Sequence, residues 1–376
     1  MTKLSLLLAS AALAASLSPP AQAQQPPASW RMSAKEVPVV DYTINADHSI
    51  TFTLAAPDAN SAALMFGEPQ MGRSLPMSKG ADGRWVATVP PVEPDIYEYS
   101  VKLDGADLHP SILEVPSNPP AFWQVQDVAH GSVNMHSYYS KVQGRMRGVH
   151  VYVPAQYYAQ PKRHFPVLYL WAGRYETEWV RTGYANVIAD NLIASGKAQP
   201  MIIVMGNNTT GPLASPAFKN AEVIEQELKA ELMPFIESHY RTINDRAHRA
   251  TAGLSFGGGT ALIVGLRNLD RFGAVAEFGT GVFGTSKPGE GSASYLTYNP
   301  DTITPDLYAK LKAPATSLKP FYMSVGKDDA RKPNQIAAYE DFKKHGIDPV
   351  FQIVPGDHEY KAFRASLADL LPRLFR

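Results

Sequence analysis

The sequence contains no cysteine. Thiol nucleophiles, thiolate zinc sites, iron–sulfur clusters and disulfides are therefore excluded. A chain of 376 residues that is 45% hydrophobic can bury enough apolar surface to fold without such cross-links. An excess of charge of one sign is also lacking, because 35 Lys and Arg residues balance 35 Asp and Glu residues. This balance predicts no general attraction to nucleic acid or to anionic lipid.

Long apolar runs are lacking as well. The longest lies near the N-terminus, where Lys3 precedes the short apolar segment "LSLLLASAALAASL" and "AQA" follows at residues 21–23. The segment falls short of the roughly 20 apolar residues that span a bilayer, and this order of features is typical of a secretory signal. We predict a signal peptide over residues 1–23, then a Pro/Gln/Ala-rich linker over residues 24–36. The expected localisation is periplasmic or secreted.

Two regions with different hydrophobic patterns follow. Residues 37–118 contain short segments in which apolar and polar residues alternate, such as "SITFTLAAP" and "GRWVATV". This period of two predicts strands that bury one face, and hence a small β-sandwich. Residues 119–376 contain continuous apolar segments, such as "FPVLYLWAG" and "PMIIVMGNN", which alternate with segments of helical periodicity. They predict an α/β fold, a largely parallel sheet covered by helices on both sides.

One serine stands among glycines in "RATAGLSFGGGTAL", between a predicted strand and a predicted helix. Gly253-x-Ser255-x-Gly257 matches the nucleophile elbow of α/β-hydrolases, a tight turn that raises the serine above the sheet. The helix N-terminus beneath it favours developing negative charge. The alternative is a dinucleotide-binding turn, but this turn lacks the G-x-G-x-x-G pattern. The spacing therefore predicts a serine nucleophile.

A serine nucleophile needs a base, which follows it in the chain of an α/β-hydrolase. Only His345 and His358 come after Ser255. His345 ends a predicted helix beside two lysines and is interpreted as a helix-end cation. His358, in "VPGDHEY", lies in a loop just past a predicted strand, where α/β sheets present catalytic groups. We predict His358 as the base.

The acid that orients this base has several candidates. Asp328 and Asp329 both follow the predicted strand "FYMSVG", and their positions alone leave the choice open. Asp357, next to His358, is interpreted as a solvated turn residue.

The predicted chemistry is acyl transfer. His358 takes the proton of Ser255, the serine attacks an ester carbonyl, and water later releases the acyl group. The oxyanion needs two preorganised donors. We expect them to be the backbone N–H of Phe256 and, from the loop after "VLYLWAG", that of Arg174.

With these residues in place, the chain resembles the esterase D family, carbohydrate esterase family 1. It is most similar to bacterial feruloyl and acetylxylan esterases and to enterochelin-esterase-like proteins. The segments that carry the resemblance are "FPVLYLWAG…ETEW", "ANVIADNLIASGKAQPMIIVM", "ELMPFIESHYRT…RATAGLSFGGG" and "PGDHEY…LADLLPRLF". The resemblance implies an α/β-hydrolase fold and favours Asp329, three residues past Gly326, as the acid. The sequence departs from the family in having Ala172-Gly173 where His-Gly is usual.

The predicted sandwich resembles the Ig-like family 48 carbohydrate-binding module, on the strength of "GRWVATV…PDIYEYSVKLDG". Trp85, Tyr97 and Tyr99 could form a sugar-stacking face, but we favour a role as core aromatics.

Other residues near the predicted site are open to interpretation. Trp179 and Tyr175 follow the oxyanion strand and are predicted to bind substrate. Asn207 and Asn208 end another strand and are interpreted as a turn, and residues 284–318 as an insertion near the site. No cluster has the spacing of metal ligands, so we predict neither a metal nor a cofactor.

The sequence thus predicts an exported serine carboxylesterase that removes feruloyl or acetyl groups from plant cell-wall xylan. Alternatives are an esterase for a siderophore or another small ester, and a catalytically inactive glycan-binding homologue. The expected partner is an ester-bearing oligosaccharide or a small aryl ester, with no nucleic acid and no membrane. The oligomeric state stays open.

Overall fold

A computed structural model describes residues 39–67, 73–108, 110–210, 217–280 and 303–376. The predicted signal peptide and linker lie outside the described residues, as does the part of the predicted insertion before residue 303. Among the described helices, none is both long and apolar enough to cross a membrane.

The N-terminal region consists of two antiparallel sheets. One has the strand order β1-β2-β6-β5, and the other has the order β4-β3-β7-β8 with β9 also paired to β7. The strands are β1 (Val40–Ile44), β2 (Ile50–Ala55), β3 (Ala62–Phe66), β4 (Arg73–Pro76), β5 (Ser78–Lys79), β6 (Arg84–Val89), β7 (Asp95–Leu103), β8 (Ala106–Asp107) and β9 (Ser111–Val115).

The two sheets share one apolar core, which agrees with the predicted β-sandwich. Burial alternates along β2 and along β6, as a strand with one covered face requires. Trp85 and Tyr99 are buried in this core, and the Trp85 indole N–H donates to the Ala56 carbonyl at 3.0 Å. Tyr97 is half-buried and stacks on Phe66, with ring centroids 5.1 Å apart. Trp85 and Tyr99 are therefore core aromatics, the interpretation favoured above.

The second region is built on a sheet with the order β10-β11-β13-β12-β14-β15-β16-β17. The pairs β10–β11 and β11–β13 are antiparallel. All later neighbours in this order, from β13–β12 to β16–β17, are parallel. The strands are β10 (Ser132–Ser140), β11 (Arg145–Val153), β12 (Val167–Trp171), β13 (Ile202–Gly206), β14 (Arg249–Gly253), β15 (Ala274–Phe278), β16 (Phe321–Gly326) and β17 (Val350–Val354).

Helices cover both faces of this sheet, and every residue of β12, β13, β15 and β16 is buried. The helices are α1 (Gln156–Ala159), α2 (Glu178–Arg181), α3 (Ala185–Ala194), α4 (Ala217–Glu227), α5 (Met233–His239), α6 (Ser255–Arg267), α7 (Leu307–Lys312), α8 (Lys332–Lys344) and α9 (Tyr360–Leu370). A π-helical turn, Leu228–Leu232, joins α4 to α5. The observed architecture is the predicted α/β fold.

The N-terminal sheets contact the second region at α9 and at the end of α2. The Arg364 guanidinium on α9 pairs with the Asp95 carboxylate of β7, and both side chains are almost fully buried. Arg364 also donates to the Thr182 carbonyl at 2.6 Å, and the Thr182 hydroxyl donates to Glu98 at 3.0 Å. An exposed pair, Lys361 with Glu93, lies at the edge of this contact. The N-terminal sheets are thus anchored on the helix that follows His358.

Candidate active site

Ser255 lies where β14 turns into α6. Its φ of 49° falls in the left-handed region, which is uncommon for a residue with a side chain. The neighbouring glycines are required by close backbone contacts: a Cβ on Gly253 would lie 2.3 Å from the Gly257 carbonyl oxygen, and one on Gly257 would lie 2.2 Å from that of Ala172. The turn therefore packs directly against the backbone of the loop after β12.

Three side chains from separate loops form one hydrogen-bonded chain. The Ser255 Oγ lies 2.8 Å from His358 Nε2, and His358 Nδ1 lies 2.8 Å from Asp329 Oδ2. His358 comes from the loop between β17 and α9, and Asp329 from the loop after β16. Parallel strands bring these loops to one edge of the sheet. In this arrangement an imidazole that is oriented by a carboxylate can take a proton from a hydroxyl.

Asp329 is well suited to orient the imidazole. Its side chain is fully buried, and its second oxygen accepts the Arg331 backbone N–H at 2.8 Å. Burial alone would raise the pKa of Asp329, but the hydrogen bond from His358, the Arg331 N–H and the nearby positive charges hold that pKa below its usual value. Asp328 differs sharply, since its side chain is 61% exposed and pairs with Lys327 on the surface.

The pair of Asp329 and His358 is enclosed on two further sides. Gly279, at the end of β15, has φ 57°, and a Cβ there would lie 3.2 Å from Asp329 Oδ2 and 3.4 Å from His358 Nδ1. The Phe363 ring meets the His358 ring edge-on, with centroids 5.1 Å apart. Both contacts limit the positions that the imidazole can take.

The two predicted oxyanion donors lie on the two segments that meet at the elbow. Phe256 follows it in the first turn of α6, at the positive end of the helix dipole. Arg174 lies in the loop after β12, against which the elbow packs. Its backbone N–H donates to Glu178 Oε1 at 3.1 Å, and the Tyr175 N–H donates to the same oxygen at 2.7 Å. The structure thus adds a carboxylate to this loop that the sequence prediction did not include.

The two predicted substrate-binding aromatics differ in exposure. Tyr175 is 50% exposed on the loop next to the site. Trp179 is fully buried, and its ring meets the rings of Phe278 and Tyr360 edge-on. The structure therefore does not place Trp179 on an exposed surface.

The structure gives Asn208 hydrogen bonds that the sequence analysis, which interpreted it as part of a turn, did not predict. Its side chain is fully buried at the end of β13. Its backbone N–H donates to the Arg174 carbonyl at 2.8 Å, its Nδ2 to the Ala172 carbonyl at 3.3 Å, and its Oδ1 accepts the Thr260 hydroxyl of α6 at 2.9 Å. Asn208 therefore joins the loop after β12 to the helix that begins at Ser255. The signal that could have found it is its position at a strand end, on the same edge as Ser255.

Glu277, on β15, is a second buried group that the sequence did not indicate. Its carboxyl accepts Gln335 Nε2 at 2.7 Å and the Thr280 N–H at 3.2 Å. Burial raises its pKa from 4.5 to about 7, the Asp329 charge adds to the rise, and the hydrogen bonds from Gln335 and Thr280 oppose it. Thr280 in turn packs on the elbow, since a Cβ on Gly258 would lie 2.0 Å from its hydroxyl oxygen.

Metal ligation has no candidate within residues 39–67, 73–108, 110–210, 217–280 and 303–376, where no three His, Asp or Glu side chains are grouped suitably.

Comparisons with known proteins agree with this fold. A ferulic acid esterase structure aligns with a TM-score of 0.55 and 27% identity, covering 65% of this chain and 97% of that one. A ferulic acid esterase from Anaeromyces mucronatus, in complex with ferulic acid, aligns with a TM-score of 0.57 and 24% identity over 68% of this chain and 94% of that one. The enterochelin esterase from Shigella flexneri has a TM-score of 0.57 and 13% identity, over 92% and 97%. The fold is that of the α/β-hydrolase esterases.

Sequence comparison makes the assignment more specific. A family model described as "Putative esterase" matches residues 140–374, and the chain belongs to this Esterase family. A curated relative, the endo-1,4-beta-xylanase/feruloyl esterase of Xylanibacter ruminicola, is 29% identical over 358 residues, which covers 89% of this chain and 46% of the relative. The chain spans about half the length of the curated relatives it matches. This membership confirms the resemblance to an esterase family that the sequence predicted.

Proposed function

We propose that the protein is a serine esterase in which Ser255, His358 and Asp329 act as a catalytic triad. The observation that carries this proposal is the continuous chain of two 2.8 Å hydrogen bonds from the serine hydroxyl through the imidazole to a buried carboxylate. His358 Nε2 takes the hydroxyl proton as Ser255 Oγ bonds to the ester carbonyl carbon. The same proton then passes to the leaving alcohol as the ester C–O bond breaks, leaving an acyl-serine. Water, deprotonated by His358, releases the acid and regenerates the hydroxyl.

The negative charge on the tetrahedral intermediate needs donors fixed in advance. The Phe256 N–H at the start of α6 supplies one, and the helix dipole adds to it. The Arg174 N–H supplies the other. In the free enzyme this N–H donates to Glu178 at 3.1 Å, and in the proposed reaction the oxyanion replaces that carboxylate oxygen as the acceptor.

The proposed substrates are feruloyl or acetyl esters on plant cell-wall xylan. Support comes from the Xylanibacter relative, whose name combines xylanase and feruloyl esterase, and from its 89% coverage of this chain. A cavity of about 450 Å³ lies between the N-terminal sheets and the residues on either side of His358, but neither Ser255 nor His358 lines it. Tyr97 and Phe66 line it from one side, and Asp357 and Tyr360 from the other.

Two further proposals concern the whole chain. We propose that residues 37–118 and 119–376 are separate domains, of which the first is a module that shapes this cavity. The pattern over residues 1–23 supports export to the periplasm or beyond.

The test is a substrate panel run with the purified chain and with Ser255→Ala. The panel contains methyl ferulate, feruloylated arabinoxylan oligosaccharides, acetylated xylan, p-nitrophenyl acetate and a cyclic catecholate triester. We expect hydrolysis of the feruloyl or acetyl esters, and its loss by at least about 10³-fold in the variant. Full activity of Ser255→Ala would refute the triad. Preference for the catecholate triester would instead establish the siderophore alternative.

A further inference from the structure

The loop that carries the Arg174 N–H is held from two sides. On its carbonyl side, Asn208 binds the carbonyl oxygens of Ala172 and Arg174. On its N–H side, the Glu178 carboxylate accepts the N–H groups of Arg174 and Tyr175. Both Arg174 and Tyr175 are exposed. The direction of the Arg174 N–H therefore depends on the backbone N–H and side chain of Asn208 and on the Glu178 carboxylate.

Glu178 also connects this loop to the loop of the base. Its Oε2 accepts the Tyr360 hydroxyl at 3.0 Å, and Tyr360 begins α9 two residues after His358. Its Oε1 receives the shorter bond from Tyr175, at 2.7 Å, and the longer one from Arg174, at 3.1 Å. The anchoring contacts are thus with Tyr175 and Tyr360, and the Arg174 N–H is held near the carboxylate by a weaker bond.

We infer that Glu178 is a positioning residue for the oxyanion-binding loop. The inference rests on the proposed function, because it assumes that the Arg174 N–H binds the oxyanion. A backbone that is fixed before the charge develops needs little reorganisation, because only the Arg174–Glu178 bond is exchanged for a bond to the oxyanion. A carboxylate with three donors is a strong anchor, since charge-assisted hydrogen bonds are about twice as strong as neutral ones. Glu178 acts on the reaction through the backbone that it fixes, not by touching the substrate.

The test compares kcat and KM for Glu178→Ala and Glu178→Gln on the best substrate of the panel. Glu178→Ala frees the loop, so we expect kcat to fall about 10- to 100-fold with KM within about threefold, part of the 10²–10³-fold that a lost donor costs. Glu178→Gln keeps an acceptor oxygen for the two N–H groups and should recover kcat to within about fivefold of the wild type. Tyr360→Phe, which breaks one anchor, should lower kcat by about two- to fivefold and add little in the Glu178→Ala background.

Glu176 offers a matched control on the same loop. Glu176→Ala removes a carboxylate two residues away from Glu178. The Glu176 carboxylate accepts Asn207 Nδ2 and not the N–H of Arg174 or Tyr175. We expect Glu176→Ala to keep kcat within about threefold. Should Glu178→Ala not fold, Glu178→Asp decides, because it keeps the charge but withdraws the acceptor, and we expect about a tenfold lower kcat.

An unchanged or increased kcat in Glu178→Ala would overturn the inference, and so would a loss of kcat in Glu178→Gln as large as that in Glu178→Ala. If Glu178→Ala does not fold, an unchanged kcat in Glu178→Asp would overturn it. Wild-type hydrolysis that Ser255→Ala abolishes, combined with any of these, would contradict only the role of Glu178. Absence of Ser255-dependent hydrolysis would contradict the proposed function itself.

Discussion

The strands of the N-terminal sheets and those of the central sheet differ in how they bury their side chains. In β2 and β6 every second residue faces the core, whereas in β12 and β13 every residue is buried. A sheet with one covered face needs alternation, while a sheet between two layers of helices needs apolar residues on both faces. The number of covered faces, rather than the strand itself, sets the sequence pattern.

The two regions also differ in where they bury charge. Within the described residues, the one charged side chain of the N-terminal sheets that is buried is Asp95, which faces Arg364 at the contact between the regions. The second region buries Asp329 and Glu277 next to the candidate site. Among the described residues, buried charge in the N-terminal sheets is thus confined to the contact between the regions, whereas the second region also buries charge elsewhere, for example at the candidate site and in the Arg147–Glu227 pair. Three substitutions test this contrast.

The largest effect is expected at the proposed acid. Asp329→Asn keeps the shape but cannot stabilise the imidazolium or select its tautomer, so we expect kcat to fall about 10³- to 10⁴-fold. Steady-state hydrolysis of methyl ferulate measures it. Asp328→Asn is the matched control, because that carboxylate is exposed and pairs with Lys327, and it should change kcat less than about threefold. Equal losses in the two variants would contradict the assignment of the acid.

The next largest effect is expected on stability, at the contact between the two regions. Asp95→Ala leaves the Arg364 guanidinium buried without its carboxylate, so we expect the free energy of unfolding to fall by about 3–5 kcal/mol. Glu93→Ala removes the exposed partner of Lys361 and should cost less than about 1 kcal/mol. Urea denaturation of the whole chain compares the two. Similar losses of unfolding free energy would mean that the buried Asp95–Arg364 pair stabilises the fold no more than the exposed Glu93–Lys361 pair.

A smaller, pH-dependent effect is expected at Glu277. Its pKa in the folded chain, about 7, lies above its ordinary value of 4.5, so the folded state binds its proton more tightly than the unfolded state. The stability that this proton contributes is complete below pH 4.5 and is lost as the pH rises through 7. Glu277→Gln removes this loss. From pH 5 to pH 8 we expect the free energy of unfolding of the wild type to fall by about 2–3 kcal/mol relative to the variant. Parallel pH profiles for both proteins would contradict the raised pKa.

The sequence predicted the features that depend on short patterns. The alternation in "GRWVATV", the apolar run "FPVLYLWAG" and the G-x-S-x-G turn each follow from local requirements of burial or backbone space. The positions of Ser255, His358 and the two adjacent residues Asp328 and Asp329 after predicted strands were enough to predict one edge of the sheet, while only the family resemblance favoured Asp329. The structure brings these three together, while their catalytic roles stay predictions that the experiments above address.

The features that the sequence could not predict depend on contacts between distant or reversed segments. Asp95 and Arg364 are far apart in the chain, and nothing in either local pattern indicates a pair. Nothing in the sequence near Glu178 indicates that its carboxylate accepts the backbone N–H groups of the preceding loop. Trp179 was predicted to bind substrate because it follows the oxyanion strand. In the structure its side chain is buried against Phe278. Such side-chain directions are set by tertiary packing.

The proposed triad is tested most directly by reaction with a fluorophosphonate, followed by peptide mass spectrometry. An activated serine attacks the phosphorus, releases fluoride and keeps a covalent adduct, whereas an ordinary surface hydroxyl does not react. We predict a single adduct on Ser255 in the wild type, and labelling at least about 100-fold slower in His358→Ala. A folded chain without an adduct on Ser255, or one labelled equally fast without the imidazole, would contradict the account.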